Sequence, residues 1–434
     1  MFFSRSGFSP SAPTARFASA PGYRWYVVWM LWCISLFNYA DRQAIFSVFP
    51  LLEREMHLSA IQLGLLGSAF AWVYGVAAPV AGMLVDRMRR TTAVIWGLQI
   101  WSTICLATGF SRDFTHLVAF RAAEGLGESI YYPASMSLVS DYHDKRTRSR
   151  AMGLHQTSVY LGTVAGGYFA GLIGERHGWR SSFFVFGALG IVLGLVLRKW
   201  LAEPRRGQAD EFVAATEAPP GVSYAGFLRH LLSTPTALLL MLGFVCMNFV
   251  AVLLLAWLPK FLFDKFHLGL AAAALLATTS VQAASVLGSL GGGWLADRMR
   301  ARVASGRIWV QALAALAAAP FVVLCGQAGS LAVCLVALCL WGVFKGFYDA
   351  NTWASLFDVV RPEERGRAAG LMNTAGWFGG GSAPVLVGFA IERMGMSAAI
   401  SSASAVYAVG GAILILCAWR FAPFDIARLN RAAR

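Results

Sequence analysis

Twelve apolar runs follow one another along this chain, at about 25–51, 60–85, 91–110, 114–141, 150–174, 179–200, 236–263, 270–297, 306–327, 330–358, 366–391 and 397–421. Each is long enough to cross a hydrocarbon layer of about 30 Å as a helix at about 1.5 Å per residue. Hydrocarbon offers the backbone no hydrogen-bond partners, so only helices or a closed barrel can cross it, and runs this long and continuous read as helices. The expected fold class is an all-α membrane protein of twelve transmembrane helices. With 57% hydrophobic and 13% charged residues, the chain is too apolar for a soluble enzyme of 434 residues. A net charge of +14 suggests a polyanion as partner, yet the basic residues recur in short bursts between apolar runs. Nucleic acid is therefore not expected as a partner.

With both termini on the cytosolic side, 26 of the 36 Lys and Arg fall in inward tails and loops. Seven fall outward (Arg54, Arg112, Arg176, Arg180, Lys260, Lys265 and Arg393), an asymmetry that fits the positive-inside rule in this orientation only. The sequence thus divides into a cytosolic tail 1–24, a six-helix bundle 25–200, a polar cytosolic linker 201–235, a second bundle 236–422 and a tail 423–434. The expected location is the cell membrane, the inner one in a Gram-negative source, with multiple passes. All seven cysteines lie in apolar runs and form no CxxC motif, so neither disulfide nor metal site is expected, and no cofactor.

The count leaves three cations inside the membrane, Arg42, Arg121 and Lys345, and four carboxylates well inside, Asp41, Glu124, Glu128 and Asp349. Intramembrane charges are costly facing lipid, so they must face protein or water. Arg121, Glu124, Glu128, Tyr131 and Ser135 recur at intervals of three and four residues and form one stripe on the fourth helix. For Glu124, a local ion pair with Arg121 is a sufficient reading. The two halves also repeat. Asp141 with Arg150-Ala-Met-Gly-Leu154 matches Asp358 with Arg367-Ala-Ala-Gly-Leu371 at an offset of 217. This register sets Glu128 opposite Lys345, and a local offset of 210 pairs Asn38 with Asn248. Parallel six-helix repeats of this kind make two pseudo-symmetric bundles, the plan of a transporter.

Two loops, Gly82-Met-Leu-Val-Asp-Arg-Met-Arg-Arg90 and Gly293-Trp-Leu-Ala-Asp-Arg-Met-Arg-Ala301, resemble the signature of the major facilitator superfamily. Within it, Asn38-Tyr-Ala-Asp-Arg42, Ser68-Ala-Phe-Ala-Trp-Val-Tyr74 and Arg121 through Gly-Leu-Gly-Glu128 to Pro133-Ala134 resemble the anion:cation symporter family of sugar-acid and hexuronate importers. The resemblance implies the major facilitator fold, with Asp41 and Glu128 as proton-titrating carboxylates. It also implies Arg42 and Arg121 near the substrate carboxylate, Tyr39 and Tyr74 as neighbours, and polar contacts from Gln156 and Asn373. Lys345 and Asp349 depart from the family pattern; Lys345 is a further substrate-binding candidate, and Glu124, Asp349 and Asn248 are candidates for either substrate contact or ion pairing. The lysolipid-transporting spinster branch shares the helix 1 motif and gives an alternative function, and a non-transporting nutrient sensor gives a third.

Counting residues from the helix ends sets Asp41 and Arg121 at one level, which suggests that these two pair and that Arg42 is left for the anion. Glu128 lies at the level of Lys345. There it either exchanges a proton as nearby cations move or forms a lock with Lys345 between bundles. Asp86-Arg87 and Asp297-Arg298 read as inner-gate charges, the carboxylates capping facing helices. No phosphate loop, His-Glu-x-x-His or Gly-x-Ser-x-Gly occurs. The expected function is a monomeric proton-coupled symporter of a small organic anion, a sugar acid, and not an enzyme; its partners are substrate, protons and lipid.

Overall fold

The computed structural model describes residues 22–144, 146–205, 208–209 and 224–432. Residues 1–21 of the expected tail and 210–223 of the expected linker lie outside them. Among the described residues the architecture is all helical. The first half comprises α1 (Tyr23–Ser47), α2 (Phe49–Met56), α3 (Ala60–Arg87), α4 (Arg90–Thr108), α5 (Phe114–Glu128), α6 (Tyr131–Tyr142), α7 (Arg148–His177) and α8 (Trp179–Leu197). The linker range holds a short amphipathic helix not anticipated from sequence, α9 (Tyr224–Leu232), whose Phe227 and Leu231 are buried. The second half comprises α10 (Pro235–Phe266), α11 (Leu270–Arg300), α12 (Gly306–Gln327), α13 (Leu331–Asp349), α14 (Thr352–Phe357), α15 (Arg365–Met394), α16 (Met396–Ser402) and α17 (Ser404–Leu416). A π-helical turn, Cys417–Phe421, leads into α18 (Ala422–Ala432), so most of the expected C-terminal tail is helix.

Nine spans are long and apolar enough to cross a membrane among the described residues. The three expected runs missing from that set are 25–51, 114–141 and 150–174, occupied by α1, α5 with α6, and α7. Two of these carry the buried charges Asp41, Arg121, Glu124 and Glu128. These charges lower the hydropathy of their runs. The run 114–141 is also broken, between Glu128 and Tyr131. Pro133 explains the break: it has no N–H to offer the Ser129 carbonyl and its ring crowds that group.

The repeat read from sequence recurs in local geometry. His57 and His267, 210 residues apart, both end helices in the left-handed region at φ 53 and ψ 38, an uncommon conformation for a residue with a side chain. Asp113 and Ser330, 217 apart, each cap a helix by accepting the N–H three residues on, from His116 and Val333. Gly178 and Gly395, also 217 apart, share a positive φ near 80°. Arg90 pairs with Asp141 as Arg307 does with Asp358, again at that offset.

The halves meet along α3 and α15. A methyl on Gly64 would fall 2.2 Å from the Pro384 carbonyl oxygen, so only hydrogen fits there. The Val385 N–H donates to Ser68 Oγ (3.2 Å), Trp72 Nε1 to Ser382 Oγ (3.0 Å) and the Ile61 N–H to Glu392 (3.1 Å). Gln43 Nε2 of α1 donates to the Leu255 carbonyl (3.1 Å), and Lys260 Nζ pairs with Glu53 at 2.5 Å. These contacts lie toward the end of the molecule bearing Glu53 and Lys260. Toward the other end, side chains on α3 such as Val76, Val80 and Met83 are exposed, and methyls on Gly82 and Gly370 would meet nothing within 4 Å.

Candidate functional site

Helices α1, α3 and α5 bring the charges of the first half together. Arg42 Nε donates to Glu128 Oε2 at 2.5 Å, with Glu128 wholly buried. Four aromatic rings surround the same guanidinium: its Cζ lies 4.8 Å from the Tyr39 centroid, 4.8 Å from Tyr74, 5.1 Å from Phe70 and 5.5 Å from Trp377. Ring faces carry negative charge and attract a cation, by about 2 kcal/mol or more when water is excluded. Trp377 belongs to α15, so the cage spans both halves, and its ring packs on Tyr74 with centroids 4.6 Å apart.

Two turns before Glu128 on α5, Arg121 is ion-paired with Glu124, both about 1% exposed, and its Cζ lies 4.8 Å from the same Phe70 ring. Phe70 therefore sits between two arginines. This close pairing of Arg121 corrects the expected Asp41–Arg121 pair: three residues on one helical face are nearer neighbours than a residue on another helix. Asp41 instead lies beside the Cys105 thiol and Glu124, their ligand atoms within 4.8 Å of one another. An acidic trio with a thiol has the donor set of a cation site, but Arg121 already supplies the positive charge there. Adjacent on α1, Asp41 and Arg42 point to different partners, as helical geometry requires.

The expected lock between Glu128 and Lys345 is not made. Lys345 is ion-paired with Asp349, one turn along α13. Together with Asn248, Tyr348 and Tyr407 they line a cavity of about 220 Å³ in the second half. Asn248 also donates to the Phe244 carbonyl at 3.3 Å, and Tyr160 of α7 is within electrostatic reach of Lys345. Gln156 and Asn373 are exposed.

The inner-gate charges of the second half find partners within that half. Asp297 accepts from Arg307 Nη2 at 3.1 Å, and Asp358 takes Arg300 at 3.0 Å and Arg307, all within the second half. Arg298 stacks near Trp294 at 5.7 Å, and Arg87 is exposed. The side chain of Asp86 lies outside the described residues. In the first half the corresponding cluster includes Glu203, which accepts from the N–H groups of Arg90 (3.1 Å) and Thr91 (2.8 Å) at the start of α4. Burial alone would raise the Glu203 carboxyl, but these donors with the Thr91 hydroxyl outweigh it and hold it below the usual range. Phe70, Cys105, Gln43 and the Glu53–Lys260 pair escaped sequence reading. For Phe70 alone a signal existed, its place inside the Ser68–Tyr74 motif.

A family model described as Major Facilitator Superfamily matches residues 31–384 and 273–430. The chain is 24% identical over 400 residues to a probable galactarate/D-glucarate transporter of Escherichia coli (strain K12), covering 86% of this chain and 88% of that one. It is 26% identical over 381 residues to a hexuronate transporter of Bacillus subtilis (strain 168), covering 85% and 88%. Protein spinster of Drosophila melanogaster is 30% identical over 262 residues, covering 59% of this chain and 42% of that protein. Among solved structures, a bacterial homologue of the human lysosomal transporter spinster, inward-facing and unoccupied, superposes with a TM-score of 0.78 at 21% identity, covering 95% and 99%.

Proposed function

Because the chain belongs to the major facilitator superfamily, whose members are transporters and not enzymes, we propose that it is a proton-coupled symporter of a sugar acid. Relatives matched over most of their length are named for galactarate, D-glucarate and hexuronate, which supports the substrate class. The observation that carries the reading is the Arg42–Glu128 pair inside its aromatic cage. A substrate carboxylate is a competing partner for the Arg42 guanidinium, whose planar fork matches it. Substrate arrival at Arg42 therefore frees Glu128, and proton binding at Glu128 frees Arg42 for substrate. Each event favours the other, which is the linkage that symport needs. Asp41, buried beside the Cys105 thiol, serves in this reading as a second proton carrier. Arg121, held by Glu124, supplies standing positive charge.

In this proposal α1, α5 with α6, and α7 also cross the membrane, giving twelve spans in two six-helix bundles joined by the cytosolic 201–235 segment. With the positive residues inward, the end sealed by Glu53–Lys260 faces out and the cleft opens inward. Alternating access then breaks the contacts between α3 and α15 and remakes others near Asp86 and Asp297. Purified protein in vesicles tests the reading. Acidifying the outside should drive accumulation of a labelled hexuronate, and a protonophore should abolish it. Uptake indifferent to the proton gradient sinks the symport reading.

A further inference from the structure

The two charged groups of the second half, Lys345 and Asp349, sit on one helix and cancel each other while both line the 220 Å³ cavity with Asn248, Tyr348 and Tyr407. By helix length Lys345 lies about fourteen residues from the start of α13, roughly 21 Å along it, near the middle of the Leu331–Phe357 span. Lipid does not face such a pair; the cavity does. Asp349 is 44% exposed in its side chain and Lys345 18%, so both are accessible from the cavity. The rest of the lining is apolar or aromatic, save Asn248 and the two tyrosine hydroxyls.

We infer that this cavity is the subsite for the uncharged, polyhydroxyl end of the substrate, and that the Lys345–Asp349 pair selects monocarboxylate sugar acids against dicarboxylates. The inference rests on the sugar-acid reading above and deepens it. A second carboxylate reaching Lys345 shares the ammonium with Asp349, and two oxygens each hydrogen-bonded to one nitrogen stand about 5 Å apart at most. Like charges at that separation repel, and Asp349 cannot retreat far on its own helix. A hydroxyl suffers no such conflict. It accepts from Lys345, donates to Asp349, and finds the amide of Asn248 and the hydroxyls of Tyr348 and Tyr407 as further partners. An ammonium compensated by a carboxylate thus reads neutral polar chemistry, with the compensating anion serving as the rejecting element.

L-galactonate and galactarate provide the test, because they share a six-carbon hydroxylated chain and differ in having a hydroxymethyl group or a second carboxylate at one end. Titration calorimetry on the purified full chain should show L-galactonate binding at least tenfold more tightly than galactarate. Asp349→Asn, which leaves the Lys345 cation uncompensated, should narrow or invert that ratio by tenfold or more, whereas Asp349→Glu should keep it. Equal binding of the two acids by the unaltered protein overturns the inference but leaves the sugar-acid reading standing, and does so even if Asp349→Asn fails to fold. An unchanged ratio in a folded Asp349→Asn protein also overturns it. Binding of neither acid overturns the sugar-acid reading and this inference with it.

Discussion

At corresponding positions of the repeat the first half carries Glu128 and the second Lys345, and each has found a different kind of partner. Glu128 is wholly buried and reaches across helices to Arg42, whose guanidinium lies in an aromatic cage closed by a residue of the other half. Lys345 stays with Asp349 on its own helix, at the wall of an open cavity. Breaking a buried pair between helices leaves a desolvated charge behind and moves the helices that hold it, whereas an exposed pair within one helix can open with nothing else shifting. Under the proposed mechanism, the first half converts a change of charge into movement and the second presents a polar surface.

Several substitutions can break this contrast or sharpen it. The largest effect is expected of Arg121→Ala, which strands Glu124 beside Asp41: about 3–5 kcal/mol of stability and a loss of substrate binding beyond a hundredfold, read by thermal melting and ligand titration. If Arg121→Ala melts like the unaltered protein, the buried network is not as tightly coupled as its geometry indicates. Next comes Arg42→Lys, which keeps the charge but loses the planar fork and much of the stacking on four rings. Binding should weaken roughly tenfold or more. Phe70→Leu removes the ring shared by Arg42 and Arg121 and should cost about 1–2 kcal/mol. Lys345→Met should cost stability of only about 0.5 kcal/mol, the scale of a pair within one helix. A Lys345→Met cost equal to that of Arg121→Ala would erase the distinction between the halves.

A different site gives a pH signature. Glu203, held low by the donors at the start of α4, contributes stability that is present above its ordinary value of 4.5. That contribution is lost as pH falls through its lowered value. Glu203→Gln should therefore cost about 1–2 kcal/mol at neutral pH, and the melting curves of variant and unaltered protein should converge as the medium is acidified below pH about 4.

Much of this was legible in the chain. Apolar runs and repeat offsets located the helices because lipid tolerates so few alternatives, and the offset of 217 reappears in caps, turns and ion pairs. Charges inside apolar runs pointed to the buried charge cluster for the same reason. Their pairing was not legible. Counting residues gives depth along a helix but not the direction of a side chain, so Asp41 and Arg121 seemed partners at one level while Arg121 turned to Glu124. The pseudo-symmetric register likewise equates Glu128 with Lys345 without saying that they touch. The Glu53–Lys260 closure escaped notice because both residues lie in polar helix ends, where charge is unremarkable.

The linkage between Arg42 and Glu128 is tested most directly by Glu128→Gln in vesicles, measuring two transport modes of one labelled sugar acid. The account predicts that exchange against internal substrate survives while accumulation driven by an inward proton gradient disappears. Normal proton-driven accumulation by Glu128→Gln would contradict it.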